Sequence, residues 1–181
     1  MVTYPNLSRM NKKEENQLYL KAAGCFDTLR LAIETFEGFL REASPASSPS
    51  YYKARNYLRD AERFHQEVFK EAKRLLGPMP VYASADFGKW RQDFLSQHRI
   101  LATSQEREAI EKELLADGHI SQWMNQGDIE RLLDKNFEAQ KAGKRRLANI
   151  KVRIILDRLT ELLAEAGQLR KKAMEKFQAG G

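Results

Sequence analysis

The chain has 181 residues, of which 42% are hydrophobic and 31% charged, with only 10 Gly and 5 Pro. That balance excludes a disordered chain, which has too little apolar surface to offset the entropy lost on ordering, and it suits helices with well-solvated faces. The formal net charge of +6 favours anionic partners without saying anything about fold.

Apolar residues recur with a helical period throughout, and no segment alternates as a strand does. The first predicted helix begins after Asn11, which with Glu14 has the spacing of a capping box. Leu18, Ala22, Cys25, Leu29, Ala32, Phe36 and Phe39 follow at alternating steps of four and three, one face of a helix of roughly thirty residues. "SPASSPS" (44–50) reads as a loop, with Ser48 as cap and Pro49 as first helical residue. The second helix carries Ala54, Leu58, Ala61, Phe64 or His65, Val68, Ala72 and Leu75 and stops at Gly77-Pro78. A third is predicted around Phe87, Trp90, Phe94, Leu95 and His98, capped by Ser84. Thr103 and Glu106 form a further capping box before Ile110, Leu114 and Leu115, and Gly118 ends that helix. "HISQWMNQG" reads as a short helical turn, and Asp128 as the cap of a final segment reaching about Phe177, with Gly143 as its break.

The final segment has the most regular pattern. Ala148, Val152, Ile155, Leu159, Leu162, Ala166, Leu169 and Ala173 hold a seven-residue repeat, which favours coiled-coil-like packing. Leu147, Ile150 and Ile154 add a second stripe, and a helix apolar on two faces is central in a bundle or covered by a partner. The expected fold is therefore all-α: an elongated antiparallel bundle of four to six helices in one domain over 1–181, with a flexible 1–10 and a hinge near Gly143.

Charge is distributed unevenly. Between Ala139 and Leu156 lie Lys141, Lys144, Arg145, Arg146, Lys151 and Arg153 and no acid. Removing those six from the 31 basic residues leaves 25 against 25 acidic ones, so the whole net charge sits in one window. Lysine and arginine clustered this way suit phosphate contacts, which displace counterions without reading sequence. The competing reading is a solvated rim whose long side chains pass the apolar stripes. The window contains no aromatic residue, so it offers no platform for base stacking.

Other patterns carry less. Ser104–Phe137 has the order of a helix-turn-helix, with Ser121, Gln122, Asn125 and Gln126 as polar side chains for base edges. However, Glu106, Glu108, Glu111 and Glu113 on the preceding helix would oppose phosphate, and Ile120 and Trp123 also fit a bundle corner. "RDAERFH" (59–65) and "RQDFLSQH" (91–98) resemble the Arg-x(4–6)-His signature of HEPN-type ribonucleases. That resemblance implies metal-independent RNA cleavage, with histidine as acid and base and arginine steadying phosphate. Arg91 and His98 are the better-placed pair, since seven residues put both on one helical face. The match covers only these residues, and a chain this rich in arginine yields about one such spacing by chance. Glu62 and His65 have the Glu-x-x-His spacing of di-iron bundles, without the second pair such a site needs. Cys25 falls in a core stripe, which marks it as packing rather than a nucleophile.

With that single cysteine no intrachain disulfide forms, which fits a reducing compartment. The N-terminus lacks the apolar region of a secretory signal, and no apolar run is long enough to span a bilayer. The sequence thus predicts a cytoplasmic, non-enzymatic accessory or assembly subunit without metal or cofactor. It would hold nucleic-acid backbone, DNA or RNA, through 141–153. The alternatives are an adaptor using the same surface on an acidic protein, and a ribonuclease. The heptad stripe packs either within the bundle or against another chain, including a second copy.

Overall fold

A computed structural model describes residues 12–42, 49–76, 104–141 and 150–180. Within them the protein is all-α: six helices and no strand. These are α1 (Lys12–Arg41), α2 (Pro49–Leu76), α3 (Ser104–Ala116), α4 (Ile120–Trp123), α5 (Gln126–Lys141) and α6 (Ile150–Gly180). The predicted helix around Phe87–His98, the flexible 1–10 and the Gly143 hinge lie outside the described residues. The chain divides into two compact units: residues 1–15 with 72–155, and 16–71 with 156–181.

The second unit is built by α1, α2 and the greater part of α6. The predicted α1 stripe is buried from Leu18 to Phe39. Lys21 pairs with Glu71 at 3.6 Å, the Cys25 thiol donates to the Ala61 carbonyl at 3.5 Å, and Phe39 meets Tyr51 at 5.4 Å. Residues rising along α1 thus meet residues falling along α2, so the two helices are antiparallel. Burial pushes the Cys25 thiol up to about 12; it stays protonated at neutral pH and behaves as a small apolar side chain.

Where α1 and α6 end and α2 begins, aromatic rings close the unit. Tyr51 stacks on Phe177 with centroids 4.3 Å apart and planes at 12°, and Phe39 lies 6.5 Å from Phe177. Beside them Lys176 closes α1. Its ammonium donates to the carbonyls of Phe39 at 2.7 Å, Leu40 at 3.0 Å and Glu42 at 2.6 Å. The last carbonyls of a helix lack intrahelical partners and carry its negative dipole end, so a cation there is favoured twice over. Lys176→Met keeps the stem and removes the donors. We expect it to cost about 2 kcal/mol, read as a lower urea midpoint with an unchanged slope.

The first unit has its own core of Ile110, Leu114, Ile120, Met124, Ile129, Leu132, Leu133, Phe137, Ile150 and Ile154, with Leu115 and Trp123 packed against it. One start signal lies three residues earlier than the sequence suggests. Asp128 is not the cap of α5 but its third residue. Asn125 Oδ1 accepts from the Asp128 amide at 2.8 Å and Asp128 Oδ2 accepts from the Asn125 amide at 3.1 Å, a reciprocal capping box. Both residues are good caps, and the box is decided by which one leaves the other at the third helical position.

The heptad stripe of α6 is only partly enclosed. Val152, Ile155, Leu159, Ala166 and Ala173 are buried, whereas Leu162 and Leu169 are half-buried. From the second stripe Ile150 and Ile154 are buried, so the start of α6 is covered on both apolar faces, as expected.

Candidate nucleic-acid interface

The densest basic stretch lies between two core helices: α5 ends at Lys141 and α6 begins at Ile150. Lys144, Arg145 and Arg146 fall outside the described residues. Of the three remaining members, Lys141 is the last residue of α5, and Lys151 and Arg153 have duties inside the protein.

Lys151 follows Ile150 and precedes Val152, Ile154 and Ile155, all buried. Its side chain is accordingly only 11% exposed. Burying a charge is costly unless it is paired, and two carboxylates supply the pairs: Asp117 at 3.3 Å and Glu15 at 3.6 Å. Asp117 also has a second task. Its Oδ1 accepts from the amides of His119 at 2.9 Å and Ile120 at 3.1 Å, at the start of α4. One carboxylate thus ties the α3–α4 corner to α6. Lys151 is consequently engaged as an internal ion pair, and a phosphate would have to displace two carboxylates to reach it. Arg153 is half-buried and has a partner within the protein.

The helix-turn-helix candidate becomes a corner. Helix α4 is a single turn of four residues, and Ile120 and Met124 enter the core. Three of its four polar side chains are occupied locally: Ser121 donates to the Gly118 carbonyl at 3.2 Å, Asn125 caps α5, and Gln126 donates to Glu130 at 3.3 Å. Beside it α3 is tied to α5 through Arg107 and Glu111. Arg107 pairs with Asp134 at 2.7 Å and donates to the Glu130 carbonyl. Burial, reinforced by the Glu130 carboxyl, holds Glu111 above the usual carboxylate range.

The Arg-x-His candidates fare unevenly. Arg91 and His98 lie outside the described residues. Arg59 and His65 are described, and they line different depressions. Arg59 sits with Arg55 and Arg170, His65 with Gln66 and Phe69. His65, given as an alternative to Phe64 in the predicted α2 stripe, does not enter the core. It is half-buried, and its Nε2 has no hydrogen-bond partner among the described residues. Desolvation lowers its pKa, favouring the neutral ring. No group of three or more potential metal ligands occurs among the described residues.

Comparison with protein families, characterised proteins and solved structures finds no match. The residues themselves therefore carry any functional reading. No described helix is long and apolar enough to cross a membrane.

Sequence reasoning does not single out Glu15, Asp117, Arg55 or Arg170, and it meets Arg59 only in the Arg-x-His spacing, not in the group these three arginines form in the second unit. For Lys151 a signal exists: a charge in the part of a helix that is apolar on two faces needs a buried counter-charge.

Proposed function

We propose that the protein is a non-enzymatic helical accessory or assembly subunit. It holds nucleic-acid backbone, without reading sequence, through the run Lys141, Lys144, Arg145 and Arg146. The observation that carries this reading is the charge distribution: outside one acid-free window the chain is neutral, with 25 basic and 25 acidic residues. With Lys151 paired internally and Arg153 half-buried, the four residues from 141 to 146 carry the proposal.

Lys144→Ala, Arg145→Ala and Arg146→Ala combined are expected to weaken duplex DNA and RNA binding at low salt by about a hundredfold or more. Thermal stability should stay near that of the wild type. An electrophoretic shift series with both nucleic acids, alongside a melting curve, checks this. Equal binding by the triple variant overturns the proposal. So does a wild type that shifts neither nucleic acid but retains an acidic protein partner.

A further inference from the structure

In the second unit α2 and α6 leave a depression of about 490 Å³ lined by Tyr51, Arg55, Arg170, Met174, Phe177 and Gln178. A narrower one of about 100 Å³ is lined by Arg55, Leu58, Arg59, Glu62 and Arg170. Arg55 and Arg170 belong to both, so the two meet at a pair of guanidinium groups. The sequence builds each wall as one helical stripe. Tyr51, Arg55, Arg59 and Glu62 follow at steps of four, four and three, and Arg170, Met174 and Phe177 at four and three.

Two properties of this groove point to a ligand. The first is charge: three guanidinium groups face one carboxylate, Glu62, and none of the three forms an ion pair with a described residue. Gathered like charges repel, and among the described residues that line the groove only Glu62 carries a negative charge. A planar guanidinium offers paired donors that match a phosphate. The second is the aromatic wall. Tyr51 and Phe177 lie face to face at 4.3 Å, and the Arg55 guanidinium sits 5.6 Å from the Tyr51 ring centre. Met174, 38% exposed, and the exposed Gln178 border the same space. A flat ring can lie against this wall while an amide meets its polar edge. The volume falls within the range of small-molecule sites.

We propose that this groove is a nucleotide-binding site. Arg55, Arg59 and Arg170 take the phosphate, and Phe177 with Met174 takes the base. The nucleotide is either free or one unit of a single strand. The site draws on no residue of the 141–146 run, so it stands or falls separately from that reading.

Calorimetric titration of the full chain at low salt tests it, with AMP, adenosine, inorganic phosphate, phosphotyrosine and a short single-stranded oligonucleotide as probes. AMP should bind about tenfold or more tightly than adenosine or phosphate alone. Arg170→Gln and Arg55→Gln should each weaken AMP by about tenfold. Arg63→Gln, whose partner is Asp60 at 3.6 Å, should leave it unchanged. A melting curve on each variant confirms folding, which the exposed positions of Arg55 and Arg170 favour. An oligonucleotide that binds at least as tightly as AMP, and loses affinity in the same two variants, supports the site with a strand as its source. The proposal is overturned if AMP binds no better than phosphate, if phosphotyrosine matches AMP, or if folded Arg170→Gln binds like the wild type.

Discussion

Lys151→Ala is expected to destabilise the protein by about 3 kcal/mol, lowering the melting temperature by roughly 10 °C for a chain of this size. Lys151 is only 9% exposed, so truncating its buried alkyl stem opens a space. The larger loss is electrostatic. Removing the ammonium leaves Asp117 and Glu15, with side chains 10% and 24% exposed, close together and without their cation. An uncompensated buried charge costs more than the intact pair contributes. Two companions separate these effects. Lys151→Met keeps the stem and should cost less than alanine. Asp117→Asn keeps an acceptor for the His119 and Ile120 amides while removing one negative charge. Added to Lys151→Ala, it should restore about 1 kcal/mol, a coupling that a double-mutant cycle measures. If Lys151→Ala melts within a degree or two of the wild type while nucleic-acid affinity collapses, Lys151 belongs to the binding surface instead.

Phe39→Ala is expected to cost about 3–5 kcal/mol, the range for losing a fully buried aromatic side chain. Phe39 is fully enclosed and meets rings from two other helices, Tyr51 and Phe177. Its loss removes apolar burial and edge contacts together. It also withdraws the backing of the Tyr51–Phe177 stack, so AMP affinity should fall alongside stability. Phe39→Leu fills most of the volume and should cost about 1 kcal/mol. Urea unfolding followed by circular dichroism reads both. Equal midpoints for Phe39→Ala and wild type would mean that the aromatic closure contributes little.

Local regularities in the sequence are the parts that survive in the structure. Alternating steps of four and three fix the buried face of α1, and Pro49 marks the start of α2 because its missing amide and restricted backbone suit a first turn. The two apolar stripes foretell the enclosed start of α6. Pairings between distant segments are not legible in this way. Lys151 looks like one more surface charge until Glu15, from the start of α1, and Asp117, from the α3–α4 corner, are brought beside it. Lys176 reads as an ordinary helix charge, since nothing near it in sequence reveals that α1 ends there. The arginine groove needs α2 and α6 side by side. The spacing of Tyr51, Arg55 and Arg59 was a usable hint, but the third arginine lies more than a hundred residues on. Asn125 and Asp128 show a milder case, in which two competent caps lie one box apart and local chemistry alone leaves the boundary open.

The most direct test of the central claim is the salt dependence of duplex DNA binding, because a duplex holds its bases stacked away from the aromatic groove. With four phosphate-neutralising side chains, the logarithm of affinity should fall against the logarithm of salt with a slope of about −3.6. The slope should be the same for unrelated sequences. In the Lys144→Ala, Arg145→Ala and Arg146→Ala variant it should shrink to about −1. Equal slopes for wild type and variant, or affinity that does not change with salt, would contradict the assignment of Lys141–Arg146 as the backbone-binding run.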